Sequence, residues 1–133
     1  METTIKDIEV MFVESPNGPA GSGEAFNKLE SSLATLKGRK FYATFQYATG
    51  VYRACVAFED PDEPEHLGFQ KWSIPGGLYA QEKLKNWTEH AEEIPDVFGK
   101  MSQEYKGRID SSRPSIEFYK SQKELILLLP ILQ

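Results

Sequence analysis

The sequence predicts an α+β fold: two strand-helix-strand-strand repeats sharing an antiparallel sheet, with a ligand pocket between the halves. Three observations predict it. Stretches whose apolar residues recur at a period of two flank two segments with apolar residues at helical spacing. The acidic, proline-rich connector "EDPDEPEH" (59–66) divides the chain near its midpoint. Finally, "AFNKLESSL" from Ala25 and "VFGKMSQEY" from Val97 align at an offset of 72 residues (97 − 25 = 72). That offset matches Phe26 with Phe98, Lys28 with Lys100 and Leu29 with Met101; continued without a gap, it lays Tyr47 on Tyr119 and Phe45 on Glu117. The chain reads as one domain, 1–133, with repeat one over about 4–60 and repeat two over about 67–133.

Each element has its own signal. "IKDIEVMFVES" (5–15) reads as a strand running into the turn-rich "PNGPAGSG". "EAFNKLESSLATLKG" (24–38) carries Phe26, Leu29, Leu33 and Leu36 at helical spacing, with Gly38 as its stop. "KFYATFQY", the turn "ATG" and "VYRACVAF" form a hairpin. In the second half, "GFQKWSIPGGLYAQEKLKNW" (68–87) is a strand broken near Pro75-Gly76-Gly77. "IPDVFGKMSQEYKG" (94–107) is helical, with Pro95 tolerated in the first turn and Phe98, Met101 and Tyr105 along one face. "RPSIEFYKSQKELILLLP" (113–130) closes the chain as a second hairpin.

The composition excludes several classes of function. Net charge is −5 and the 15 Lys and Arg residues are scattered, which argues against nucleic acid or an anionic membrane as partner. A single cysteine, Cys55, forms no internal disulfide and sits in a strand as an inert core thiol. The start "METTIKDIEV" is no signal peptide, and "LILLLPIL" is too short to span a bilayer, so a cytoplasmic protein is expected. His66 and His90 lack metal-ligand spacing with Cys55, so no metal site and no cofactor are expected. "PGG" lacks the lysine of a phosphate loop, and there is no Gly-x-Ser-x-Gly elbow.

What remains is aromatic: eight Phe, six Tyr and two Trp, with Tyr42, Tyr47, Tyr52, Trp72, Tyr79, Trp87 and Tyr119 on or beside predicted strands. That density suits a pocket that stacks flat ligands, and equally an ordinary sheet. Within "SIEFY", alternation places Ser115, Glu117 and Tyr119 on one face and Ile116 and Phe118 on the other. Glu117 is then either a solvated strand residue or a pocket carboxylate that lacks a partner.

In chain order, "YRACVAF" (52–58), "SIPGGLYA" (73–80), "HAEEIPDVFGKM" (90–101) and "IEFY" followed by "LILLLPI" resemble the landmarks of the GyrI-like small-molecule-binding domain. This family is also the effector-binding module of bacterial multidrug-responsive transcription activators, and the resemblance covers nearly the whole chain. It implies a pocket between two repeats that takes bulky, planar, often cationic aromatic compounds, with a glutamate compensating their charge. Here that glutamate is Glu117, followed by Tyr119; Trp87, Trp72, Phe45, Tyr47 and Tyr79 complete the expected ligand-binding set. No helix-turn-helix segment precedes the first repeat, so no direct DNA binding is expected. Where relatives often carry a Gly-Pro-Tyr-like stretch, this chain has His90-Ala91-Glu92. The expected function is a stand-alone multidrug-type binding protein for hydrophobic, aromatic or cationic small molecules. The alternative is a hydrolase of strained, cyclopropane-bearing DNA-alkylating compounds, in which Glu117 and Tyr119 would be catalytic.

Overall fold

The structure is a computed structural model describing all residues, Met1–Gln133. Its first half comprises β1 (Glu2–Ile5), β2 (Ile8–Ser15), α1 (Ser22–Ser31), β3 (Phe41–Gln46) and β4 (Val51–Ala57). A short helix, α2 (Glu63–Leu67), leads into β5 (Gln70–Ile74), β6 (Gly77–Lys85), α3 (Ile94–Glu104), β7 (Ser115–Tyr119) and β8 (Glu124–Pro130). All eight strands join one antiparallel sheet in the order β1-β6-β8-β7-β3-β4-β2-β5. The ends of the sheet exchange strands between halves: β1 pairs with β6, and β5 pairs with β2.

That exchange makes the sheet curl. β1 and β5 are opposite edges, yet only Lys6 and Asp7 separate β1 from β2, the neighbour of β5. The two ends meet where the Lys6-Asp7 link crosses the Pro75-Gly76 link. Asp7 Oδ1 accepts the Gly76 N–H at 2.6 Å, and a Cβ on Gly76 would stand 2.5 Å from the Ile5 carbonyl oxygen. Only glycine allows two backbones to approach this closely.

Alternation then sorts the side chains onto two faces. Inside the curl, Val10, Tyr42, Cys55, Ile74, Ile116 and Leu128 pack together. Burial pushes the Cys55 thiol up to about 12, as suits an inert core group. On the outer face, Ala25 and Leu29 of α1 pack on Met11, Ala54 and Val56, while Phe98 and Met101 of α3 pack on Ala80, Leu127 and Leu129. Each fully buried Leu or Met contributes about 1.5–3 kcal/mol. No helix is long and apolar enough to cross a membrane.

Several elements differ from the sequence reading. The first predicted strand is two strands, so each half runs strand, strand, helix, strand, strand. The helix expected to reach Gly38 ends at Ser31, because the hydroxyls of Ser31 and Ser32 both donate to the Lys28 carbonyl and draw the chain out of helical geometry. Leu36, assigned to its apolar face, is exposed. The acidic connector contains α2, which closes on the left-handed Gly68.

The ungapped offset also fails beyond the helices. β4 and β8 share one burial alternation, with Tyr52, Ala54 and Val56 in the places of Leu125, Leu127 and Leu129. Ala54 pairs with Ala43, and Leu127 pairs with Glu117, so this shared burial pattern lays Glu117 on Ala43 and not on Phe45. The path from helix start to strand is longer in the second half, Ile94 to Ser115 against Ser22 to Phe41.

Gly76→Ala is expected to destabilise the fold by about 1–3 kcal/mol, the usual range for overpacking. Gly23→Ala, where an added methyl would meet nothing within 4 Å, should be neutral or stabilising. Urea unfolding of both variants beside the parent measures the difference; equal midpoints for all three would mean the crossing tolerates a side chain.

Candidate functional site

The row Ala54–Ala43–Glu117–Leu127 runs across β4, β3, β7 and β8, and cross-strand partners share a face. Ala54 lies under α1 and Leu127 under α3, so both helices cover the same outer face. α1 rests on β2 and β4, and α3 on β6 and β8. The central strands β3 and β7 are left between them as the floor of a cleft.

The cleft has a volume of about 440 Å³, within the range of small-molecule sites. Its floor carries Tyr52, Phe45, Ser115, Glu117 and Tyr119, and its walls include Trp87, Phe98 and the first residues of both helices, Ser22 and Ile94. Glu117 is the one carboxylate lining it, and no Lys, Arg or His does.

Aromatic packing holds the Glu117 end in place. Trp87 is anchored by its indole N–H, which donates to the Ser121 carbonyl at 2.8 Å, and its ring centroid lies 5.1 Å from that of Tyr119. Phe26 meets Tyr119 edge-on at 5.5 Å. Thus fixed, the Tyr119 hydroxyl donates to Glu117 Oε1 at 2.8 Å. Burial raises the Glu117 pKa above the ordinary carboxylate range, and the bond from Tyr119 opposes this only in part. Burial, reinforced by the charge of Glu117, raises Tyr119, Tyr52 and Tyr47 as well, so the phenols stay protonated donors.

The structure brings together five of the seven residues singled out from the sequence: Glu117, Tyr119, Trp87, Phe45 and Tyr47. Tyr47 stands at the mouth, 64% exposed, with its ring against Phe45. Trp72 and Tyr79 lie outside the cleft. Trp72 is on edge strand β5, where it packs with Phe12 and Arg53. Tyr79 is buried in the inner core under the Arg113 guanidinium, its hydroxyl donating to the Pro75 carbonyl. Alternation decides both, since strand density alone does not say which face a ring takes. Tyr52 and Phe98 are additions. Tyr52 was discoverable as the hairpin partner of Phe45, whereas Phe98 reads from the sequence as plain helix core.

A larger crevice, about 660 Å³, lies around Lys6, Glu9, Arg39, Glu59 and Glu63. Charged side chains of both signs line it, and Arg39 already pairs with Glu63 at 2.7 Å. Its aromatic lining is limited to Tyr42 and Phe58, and most of its charges, Lys6, Glu9, Lys40, Glu59 and Asp60 among them, are exposed to solvent. His90, Glu92 and Glu93 form an exposed cluster, with His90 Nδ1 2.6 Å from a Glu93 carboxylate oxygen.

The raised pKa of Glu117 fixes a sign for stability. Its contribution is fully present below the ordinary value of 4.5 and is lost as pH rises through the higher folded-state value. Glu117→Gln should therefore match the parent near pH 3 and become the more stable protein as pH rises to 8. Chemical denaturation across that range checks it; parallel profiles would mean the carboxylate is freely solvated.

No family model and no curated protein matches the chain, but its fold is shared by solved structures. An integron cassette protein from the mobile metagenome of Vibrio cholerae, VCH_CASS2, superposes with a TM-score of 0.72 at 17% identity, covering 98% of this chain and 94% of its own. The protein SAV2435, solved bound to tetraphenylphosphonium, gives 0.66 at 8% identity over 98% of this chain and 92% of its own. A hydrolase from Listeria innocua gives 0.57 at 13% identity over 98% and 90%. The chain thus has the fold of these proteins: a mixed α+β structure around one curled antiparallel sheet of eight strands.

Proposed function

We propose that this protein binds hydrophobic, planar, cationic small molecules in the cleft between α1 and α3, as a member of the GyrI-like family. One observation carries the reading: Glu117 is the sole charge in a cleft walled by Phe45, Tyr52, Trp87, Phe98 and Tyr119. A carboxylate kept from water without a counter-ion is costly, and a cation of matching shape removes that cost. Aromatic faces add cation–π attraction of roughly 0.5–2 kcal/mol per well-placed ring. The tetraphenylphosphonium bound by SAV2435, on the same fold, is a hydrophobic aromatic cation of tetrahedral shape, and it supports the cationic and aromatic parts of the reading. The shared order of elements in the two halves supports reading them as copies of one unit.

A second reading keeps the same residues for a different task. A half-buried carboxyl with a raised pKa, hydrogen-bonded to a tyrosine, has the equipment of a general acid or base, and a hydrolase shares the fold. Mass spectrometry of a cyclopropane-bearing electrophile incubated with the protein separates the two. Recovery of unchanged compound is expected of a binder, and stoichiometric excess of hydrolysed product would establish the enzyme.

Rhodamine-like and phenanthridinium-like dyes are expected to bind with micromolar affinity, about −8 kcal/mol. They should quench emission from Trp87, so Trp87→Phe abolishes the quench while Trp72→Phe leaves it. Glu117→Gln should weaken cationic dyes by about 1–3 kcal/mol and leave neutral dyes of equal size unchanged. Equal losses for both, or no saturable binding at tens of micromolar, would sink the proposal.

A further inference from the structure

Ser115 lies two residues before Glu117 on β7 and lines the same cleft. It is 5% exposed, and its Oγ has no hydrogen-bonding partner within the protein. Its cross-strand neighbour is Phe45, which offers no acceptor. Buried hydroxyls nearly always find a partner, and the spaces this residue borders are the cleft and a smaller cavity beside it.

Ser115 and Tyr47 also line a narrow side cavity of about 200 Å³ that includes Gln46, Ser102 and Ser111. The charges on that cavity are already compensated, because Arg113 Nε and Asp110 Oδ2 pair at 2.8 Å. Gln46 Nε2 is likewise engaged, donating to the Ser111 carbonyl at 2.7 Å. A group entering from the cleft therefore passes a free hydroxyl and reaches walls whose accessible surface is mostly apolar, with no net charge to satisfy.

We propose that the molecule bound over Glu117 has two parts: a flat aromatic cation in the main cleft, and a short neutral tail whose hydroxyl, ether or amide hydrogen-bonds Ser115 and points into the side cavity. This rests on the cation-binding reading and adds the chemistry of the tail. Residues two apart on a strand are separated by about 7 Å, so the tail carries its polar group about that far from the charge. A four-carbon tether spans this distance and a two-carbon tether falls short. An anionic tail is disfavoured by Glu117, and a second cation finds no free carboxylate in the side cavity.

Calorimetric titration of the full chain with two matched series of N-alkylated phenanthridinium cations tests the proposal. One series carries plain alkyl chains; the other ends in a hydroxyl after two, three or four carbons. Relative to alkyl chains of equal length, the hydroxyl should improve affinity about fivefold at four carbons and not at two, the worth of one neutral hydrogen bond. Ser115→Ala, which removes only an unpartnered hydroxyl, should erase that gain, so that hydroxyl and alkyl chains of equal length bind the variant alike. Glu117→Gln should weaken both series alike and keep the gain. A gain that survives Ser115→Ala, or no gain at any length, overturns the tail while the cation site stands. Failure of both series to bind the parent saturably overturns the cation site, and the tail with it.

Discussion

The molecule depends on one crossing, where the Lys6-Asp7 link passes the Pro75-Gly76 link with no space for a side chain between them. Because these two links are so short, each half must surrender its leading strand to the other. The exchange curls the sheet and brings its edges together, and the Asp7 bond to the Gly76 N–H fastens them. Curling in turn separates an inner face, filled by the sheet itself, from an outer face that needs helices. Each helix packs chiefly on its own flanking strands, which leaves the cleft between them over Phe45 of β3 and Ser115 and Glu117 of β7. The cleft is a geometric remainder of closing the sheet with two helices.

What makes that remainder chemically useful is the content of one five-residue strand. β7 places Ile116 and Phe118 toward the core, where Phe118 stacks on Tyr42 at 4.8 Å, and Ser115, Glu117 and Tyr119 toward the cleft. The core side secures the strand, and the other side holds polar groups that a stability-driven sequence would avoid. Tyr119 is central to this balance. Its edge contacts with Phe26 and its neighbour Trp87 fix the ring, and the fixed ring delivers a donor to Glu117.

Much of this was legible in the sequence, and the failures have physical causes. Period-two alternation correctly divided "SIEFY" into two faces, and helical spacing located Phe98 and Met101. The sequence signal could not separate Trp72 and Tyr79 from the cleft aromatics, because their placement depends on which face each strand turns outward after the exchange of β1 and β5. The extension of α1 to Gly38 failed because Ser31 and Ser32 compete for a helix carbonyl, an effect that apolar spacing ignores. The pairing of Phe45 with Glu117 failed because the path from helix to strand differs in length between halves, and an ungapped alignment has no means to register that. Ser115 was visible as a face residue, but its lack of a partner is a property of three dimensions only.

The exchanged strands also bear on how the chain comes into being. Glu2 pairs with Ala80 and Ile5 with Gly77, so β1 waits for a partner synthesised much later. β2 likewise lacks one neighbour until Gln70–Ile74 has been synthesised. Neither half can close its own sheet, and an isolated fragment of either would expose a strand edge open to association with other chains. Contacts of such long sequence separation slow folding, since the entropy of loop closure is met before the contacts return anything. The cleft is complete only once β7 has joined the seam, because Ser115, Glu117 and Tyr119 all lie on that strand.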